Sequence, residues 1–316
     1  MQSWNRSLLA LTGAMILLAL VCVGGLLLDP RTLLGQPIWA KPLKFSISIA
    51  IYGATLAWMI SLVTGRRARR VATAAGAVVA ATGAIEMVAI VGQVVRGRTS
   101  HFDVATPFDA TVWSVMAASI VTLWVATAAV GVVLLRERSL PVASAWAIRL
   151  GLGVALLGMA VAFLMTGPTG AQIETAQATG SMPTVGAHAV GAPDGGPGLP
   201  LLGWSTTGGD LRIGHFVGLH GLQALPLLAV ILLMVSGRVA RLADERVRAR
   251  LVAVGAGFLT GLTLLLTGQA LRAQPLLAPD ALTLGAAAAL VVGTVLAAGL
   301  VLSRAPRPTS REAVPA

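Results

Sequence analysis

The stretch GDLRIGHFVGLHGLQALP, residues 209 to 226, carries His215, His220 and Gln223 into an apolar run. Imidazole and amide groups cost free energy on leaving water unless a partner meets them, so this placement needs a chemical or a structural reason. His215 and His220 stand five residues apart, not the four-residue step that sets two ligands on one helix face, so the pair alone makes a poor metal site. At 100° per residue, His215, His220 and Gln223 cover roughly a 140° arc, and Gly214, Gly218 and Gly221 lie opposite, where they admit a neighbouring helix. The histidines are expected to point away from that contact, toward the bundle centre or another polar helix.

Three other groups have chemistry within reach. Lys41, Lys44, Ser48, Tyr52 and Thr55 fall within roughly an 80° arc. Lys41 and Lys44 are the only lysines and Tyr52 the only tyrosine, in a chain whose other basic residues are all arginine. The stripe reads either as the lining of a site or as snorkelling beside Trp39 at a membrane interface. Thr82, Glu86 and Gln93 lie within about 40° of one another, with Arg96 beside them. Glu86 sits roughly 15 Å from the end of its apolar segment, where an acidic side chain costs about 3 kcal/mol. It is protonated, paired or facing a wet cavity, in a functional role or in an interhelix hydrogen bond. The connection RGRTSHFDVATPFDA, 96 to 110, concentrates Arg96, Arg98, His101, Asp103 and Asp109. Thr106-Pro107-Phe108-Asp109 reads as a helix start, with Thr106 or Asp109 as its cap. His101-x-Asp103 has the groups to relay a proton or ligate a metal, and His101, His215 and His220 are the weak metal candidates. Asp210 and Arg212, just before His215, and Gln269 and Arg272, at the end of a later apolar run, complete the ligand-binding or proton-relay candidates. A threonine stripe at 260, 263 and 267 is expected to bond back to its own helix.

The elements that must position these residues are membrane helices. Of 316 residues, 56% are hydrophobic and 11% charged, with a mean hydropathy of +0.84, far from a soluble domain. Uncharged stretches long enough to cross roughly 30 Å of hydrocarbon run near 8 to 28, 43 to 64, 71 to 95, 110 to 135, 146 to 166, 215 to 236, 251 to 271 and 281 to 302. The fold expected is all-α and polytopic, with eight transmembrane helices, because a lipid-exposed backbone must satisfy its own hydrogen bonds. The first span lacks a cleavage site and reads as retained. Cys22 is the only cysteine, so neither a disulfide nor a cysteine metal site forms within one chain. The formal charge of +11 falls in short clusters between apolar segments, which suits orientation in a membrane and excludes a nucleic-acid binder.

With a cytoplasmic N-terminus, the inner segments hold 16 of the 23 Lys and Arg residues. That bias predicts both termini on the cytoplasmic side of a bacterial inner membrane. All four histidines and most acids then fall in the extracytoplasmic half. The connection from 167 to 214, rich in Gly, Pro, Ser and Thr, is outside and is expected to be a mostly irregular cover; the tail from Arg304 onward is expected to be disordered. GQVVR, 92 to 96, and GQALR, 268 to 272, end the third and seventh spans, each followed by a Pro and Asp-Ala. Either the chain is two four-helix units, 1 to 140 and 141 to 316, or the match reflects abundant Gly and Ala.

The combination of KPLKF, SHFDVATPFD and WSTTGGDLRIGHFVGLHGLQALP resembles a family of multi-pass bacterial membrane proteins to which no activity attaches. In architecture alone the chain is similar to haem A synthase, which places haem between four-helix units. It departs from that pattern: there is no Glu-x-x-His-Arg, and the fourth and eighth spans have no histidine. Three functions stay open: an extracytoplasmic polar pocket for a small ligand or a redox cofactor such as haem or quinone, a proton-coupled transporter or permease, and a non-catalytic sensor or assembly partner. Whether a reaction is catalysed, and in what oligomeric state, the sequence leaves open.

Overall fold

The computed structural model describes residues 4–305, so the tail from 306 onward lies outside the described residues. The chain is an all-α membrane protein. Helices α1 (Arg6–Leu28), α2 (Ala40–Ser61), α3 (Arg66–Val95), α4 (Pro107–Arg136) and α5 (Val142–Val161) are followed by a short helix α6 (Gly170–Thr179). Then come α7 (Leu211–Leu219), α8 (Gly221–Ser236), α9 (Glu245–Leu271) and α10 (Ala281–Ser303). Among the described residues seven spans are long and apolar enough to cross a membrane, or eight when the bent pair α7 and α8 is one span.

Most helix starts follow from local side chains. Asn5 Oδ1 accepts from the Leu8 amide at 3.1 Å, Asp244 from Arg246 at 2.7 Å, and Asp280 from Thr283 at 2.8 Å. Each satisfies an amide that the first turn leaves without an intrahelical partner. At α4 the cap is Thr106, whose Oγ1 accepts from the Asp109 amide at 3.1 Å, and Pro107 takes the first helical position. Asp109 is therefore not a cap but the third helical residue.

Within residues 4–136, α2 and α3 each pack on α1, and α3 packs on α4; within 142–303, α8 and α9 each pack on α5, and α9 packs on α10. The neighbours repeat in the same order, and α4 against α5 joins the two sets. The largest apolar core lies in the first set and reaches into α5 and α8 through Ile148, Leu152 and Leu222.

The sixth apolar run is not one straight helix, as its sequence predicts. It breaks at His220 and bends by 43°, six residues before Pro226, the only proline inside α8. Glycines on either side of the break set the bend. A Cβ on Gly158 of α5 would stand 2.4 Å from the Gly218 carbonyl carbon, and one on Gly151 would stand 2.9 Å from the Gly221 oxygen. Backbone thus meets backbone, which only glycine allows.

The connection 167 to 214 is more ordered than its composition predicts. It contains α6, closed by a Thr169/Gln172 capping box, and a strand β1 (Ala189–Val190) paired antiparallel with β2 (Gly209–Asp210). It lies over the other connections at the same end of the bundle. Val104 donates to the Pro183 carbonyl and Val185 to that of Phe102, while Gly195 packs on Leu34 and Gly209 on Ala270. Replacing Gly158 by valine forces α5 from α7. Thermal unfolding in detergent is expected to register a loss of about 1 to 3 kcal/mol, the usual cost of overpacking, while Gly153→Val, whose Cβ would meet nothing within 4 Å, is expected to leave the midpoint in place.

Candidate functional site

The chain buries Glu86 about two-thirds of the way along α3 at 1% exposure. Neither carboxylate oxygen has a hydrogen-bond partner. A basic group stands nearby, the imidazole of His101, whose Nε2 lies 3.4 Å from Oε1, close but outside hydrogen-bond geometry. The other face of that ring is held. Lys41 Nζ and Ser100 Oγ each stand 3.1 Å from Nδ1. An ammonium has no lone pair to accept with, so Nδ1 is the acceptor and Nε2 carries the hydrogen that faces Glu86. Lys41, His101 and Glu86 form a line from α2, through the 96 to 106 connection, into α3.

The long connection supplies the next ring. The His188 and His101 ring centroids are 6.4 Å apart, and His188 Nδ1 donates to Asp194 Oδ2 at 2.6 Å. The amides of His188 and Ala189 also donate to Asp194, at 3.1 and 2.9 Å. Burial pushes the proton affinity of both His101 and His188 below the ordinary imidazole range. Burial acts upward on the Asp194 carboxyl, but the hydrogen bonds it accepts outweigh that and hold it down at about 2. With His188 neutral at pH 7, those bonds carry the pair. Aromatic rings pack the cluster: Phe45, Phe102 and Trp113 lie 5.8, 5.9 and 5.6 Å from His101, centroid to centroid. Phe102 takes a left-handed backbone, φ 69°, which costs about 1 kcal/mol or more and is held by burial of its ring against Trp113 at 5.1 Å and His188 at 4.8 Å.

No family model, curated protein or solved structure matches the chain. Its chemistry is therefore read from the geometry alone.

The sixteen residues singled out from sequence do not share one recess. Lys41, Glu86 and His101 come together. Lys44 stands beside them at the rim, its ammonium donating to the Leu202 carbonyl at 2.8 Å. Tyr52 turns to α4, hydrogen-bonded to Thr127 and buried. Gln223 reaches Thr55 on α2 at 3.3 Å, and His220 Nδ1 is 3.2 Å from the Gln223 Oε1. His215, expected to turn away from the glycine contact, instead points into it: its Nδ1 donates to the Gly158 carbonyl of α5 at 2.8 Å. A helix that comes this close presents the nearest backbone acceptor, and the imidazole takes it. His101, His215 and His220 thus face three different partner sets, and among the described residues no three histidine, cysteine or acidic groups gather in a metal-holding arrangement.

The other candidates tie helices together. Asp109, fully buried, accepts from Gln93 Nε2 at 2.9 Å, from Arg96 Nη1 at 2.6 Å and from Arg98 Nη2 at 3.1 Å. That network closes the α3–α4 hairpin. Asp103 accepts from the Ala105 amide and pairs loosely with Arg98 at 3.7 Å. Arg272 pairs with Asp280, and Gln269 donates to the Pro275 carbonyl at 2.8 Å, which closes the α9–α10 hairpin in the same manner. Asp210 caps α7 and holds Arg212 through Nε at 2.9 Å, while Arg212 Nη2 donates to the Gly203 carbonyl at 2.6 Å. Thr263 and Thr267 bond back to carbonyls four residues earlier.

His188 and Asp194 are the site residues that sequence reasoning missed. No pattern marks them inside GAHAVGAPDGGPG, because an Asp six residues after a His in an irregular segment has no periodicity to betray it. Asp194→Ala removes the acceptor of three hydrogen bonds, and amide hydrogen exchange over 183 to 194 is expected to quicken by the equivalent of about 1 to 3 kcal/mol. Because the folded carboxyl lies below its unfolded value, this stabilisation is complete above about pH 4. Exchange in the native protein is expected to stay slow from pH 7 to 4 and the segment to release only as the pH falls toward about 2.

Proposed function

We propose that this integral membrane protein is a proton-coupled transporter or permease whose outer end passes a proton to Glu86. The observation that carries the reading is the buried Glu86 carboxyl, without a hydrogen-bond donor, facing His101 Nε2 at 3.4 Å. A carboxylate in hydrocarbon is tolerated when it is protonated or faces a cation, and the Lys41–His101 pair can provide either. In the transfer, Lys41 Nζ gives a proton to His101 Nδ1 while Nε2 gives its own to Glu86 Oε1. Lys41 and Glu86 end neutral and the imidazole ends in its other tautomer, so one positive charge has moved inward along the line. His188 and Asp194 stand at the outer side of this line and are the groups through which water would reload it.

The same mouth was read from sequence as a pocket for haem or quinone. The partner sets of His215 and His220 favour the relay, since one ring is committed to a backbone carbonyl of α5 and the other to Gln223 on its own helix. The motifs SHFDVATPFD and GGDLRIGHFVGLHGLQALP contribute His101 and the α7–α8 bend. The arginine bias supports termini on the cytoplasmic side of a bacterial inner membrane.

Proteoliposomes carrying a trapped pH dye test the relay. Glu86→Gln, isosteric and uncharged, and His101→Gln are each expected to cut pH-gradient-driven proton entry to the level of protein-free vesicles while the thermal midpoint stays put. Wild-type flux in the Glu86→Gln protein would overturn the reading. A purified preparation with a haem absorption band would return the cofactor pocket to first place.

A further inference from the structure

At the end of the molecule opposite the His101 cluster, where the arginines gather, the connection between α4 and α5 and the first turns of α5 line an open hollow of about 230 Å³. It is lined by Glu137, Arg138, Leu140, Val142, Trp146 and Arg149, among others. Three observations bear on what it holds. First, Arg149 is the eighth residue of α5, about 10 Å along the helix from its start, a depth at which an arginine needs compensation. Its guanidinium meets only carbonyls, Glu137 O at 2.6 Å from Nη2 and Leu134 O at 3.4 Å from Nε. Second, the acids nearby are spent on other groups. The Glu137 carboxylate accepts from the Thr64 amide at 2.8 Å, from Thr64 Oγ1 and from the Ser139 amide, and Glu245 Oε1 accepts from the Ala143 amide at 3.4 Å. Among the described residues no ion pair joins either Arg138 or Arg149 to a carboxylate. Third, Trp146 is 45% exposed at the rim, and Leu140 and Val142 give the rest of the wall an apolar character.

Two guanidiniums without carboxylate partners, an interfacial tryptophan and apolar walls together match one ligand chemistry, a phosphodiester joined to acyl chains. Guanidinium presents a fork of donors to phosphate oxygens, tryptophan rings settle at the headgroup level, and basic pockets between spans on the arginine-rich side take anionic headgroups. We infer that the α4–α5 hollow is a binding site for an anionic glycerophospholipid, held by Arg138 and Arg149 with its acyl chains along Trp146 and Val142. The site is independent of the proton relay and remains if the relay fails.

Native mass spectrometry of the full-length protein, delipidated and then titrated with phosphatidylglycerol or phosphatidylcholine, tests this. The expected result is one tightly retained phosphatidylglycerol per chain and no matching phosphatidylcholine species. Arg138→Ala, an exposed position whose loss leaves the α4 terminus intact, is expected to weaken retention roughly fivefold, the factor that corresponds to about 1 kcal/mol per basic residue near an anionic surface. Arg149→Ala removes both the headgroup contact and the bonds to Leu134 and Glu137, so it is read beside Arg149→Lys, which keeps the charge and is expected to retain more lipid than the alanine variant. Equal retention of both lipids would overturn the inference, as would phosphatidylglycerol binding untouched by Arg138→Ala and Arg149→Ala. Displacement of the lipid by millimolar inorganic phosphate would assign the hollow to free phosphate and would overturn it too.

Discussion

A polar group carried into hydrocarbon has to find its partner inside the protein, and that constraint shapes this molecule at every level. It makes the backbone helical, because only a helix satisfies its own amides and carbonyls away from water. It turns threonines back on their own helices, brings Gln93, Arg96 and Arg98 onto Asp109, and commits His215 to the carbonyl of Gly158. Among the described residues Glu86 is the exception. Its oxygens are buried without a donor, and an exception to a rule so strictly kept elsewhere is where a protein that moves protons would place its acid.

The satisfied groups and the unsatisfied one do different work. The Asp109 and Asp280 networks close two helical hairpins, α3–α4 and α9–α10, by the same device: an arginine at the end of one helix reaches an acid at the start of the next. The order of helix neighbours also repeats between the two sets of four spans. The two sets of spans differ at the end that holds His101. The first carries the line Lys41, His101, Glu86; the α9–α10 hairpin carries no histidine and ends in an ordinary clamp. The long connection after α5 crosses from the second set to cover the first with His188 and Asp194.

Asymmetry along the membrane normal follows from the same physics. Arginines crowd the end opposite the His101 cluster. At that end the Glu137 carboxylate is turned to the Thr64 amide and not to an arginine. At the other end the acids meet imidazoles and guanidiniums directly, so charge is compensated inside the protein.

Spans, their limits to within a few residues, and the membrane class were legible in the sequence, because the cost of burying charge imposes a long uninterrupted apolar run on each crossing whatever its neighbours are. That Glu86 needs a partner was legible too, since an acid inside an apolar run has to be met within the protein, and the structure buries it at 1% exposure. Direction was not. The arcs of Tyr52 and His215 are fixed by helical geometry, but which helix each arc meets depends on packing: Tyr52 found Thr127, and glycines drew α7 so close to α5 that His215 took a carbonyl on the face it was expected to avoid. The bend at His220 and the ordered connection with His188 and Asp194 came from contacts far apart in the chain, which no local periodicity encodes. Sequence determined which residues had to be compensated; only the tertiary structure decided by whom, because a partner is a matter of distance in space and not along the chain.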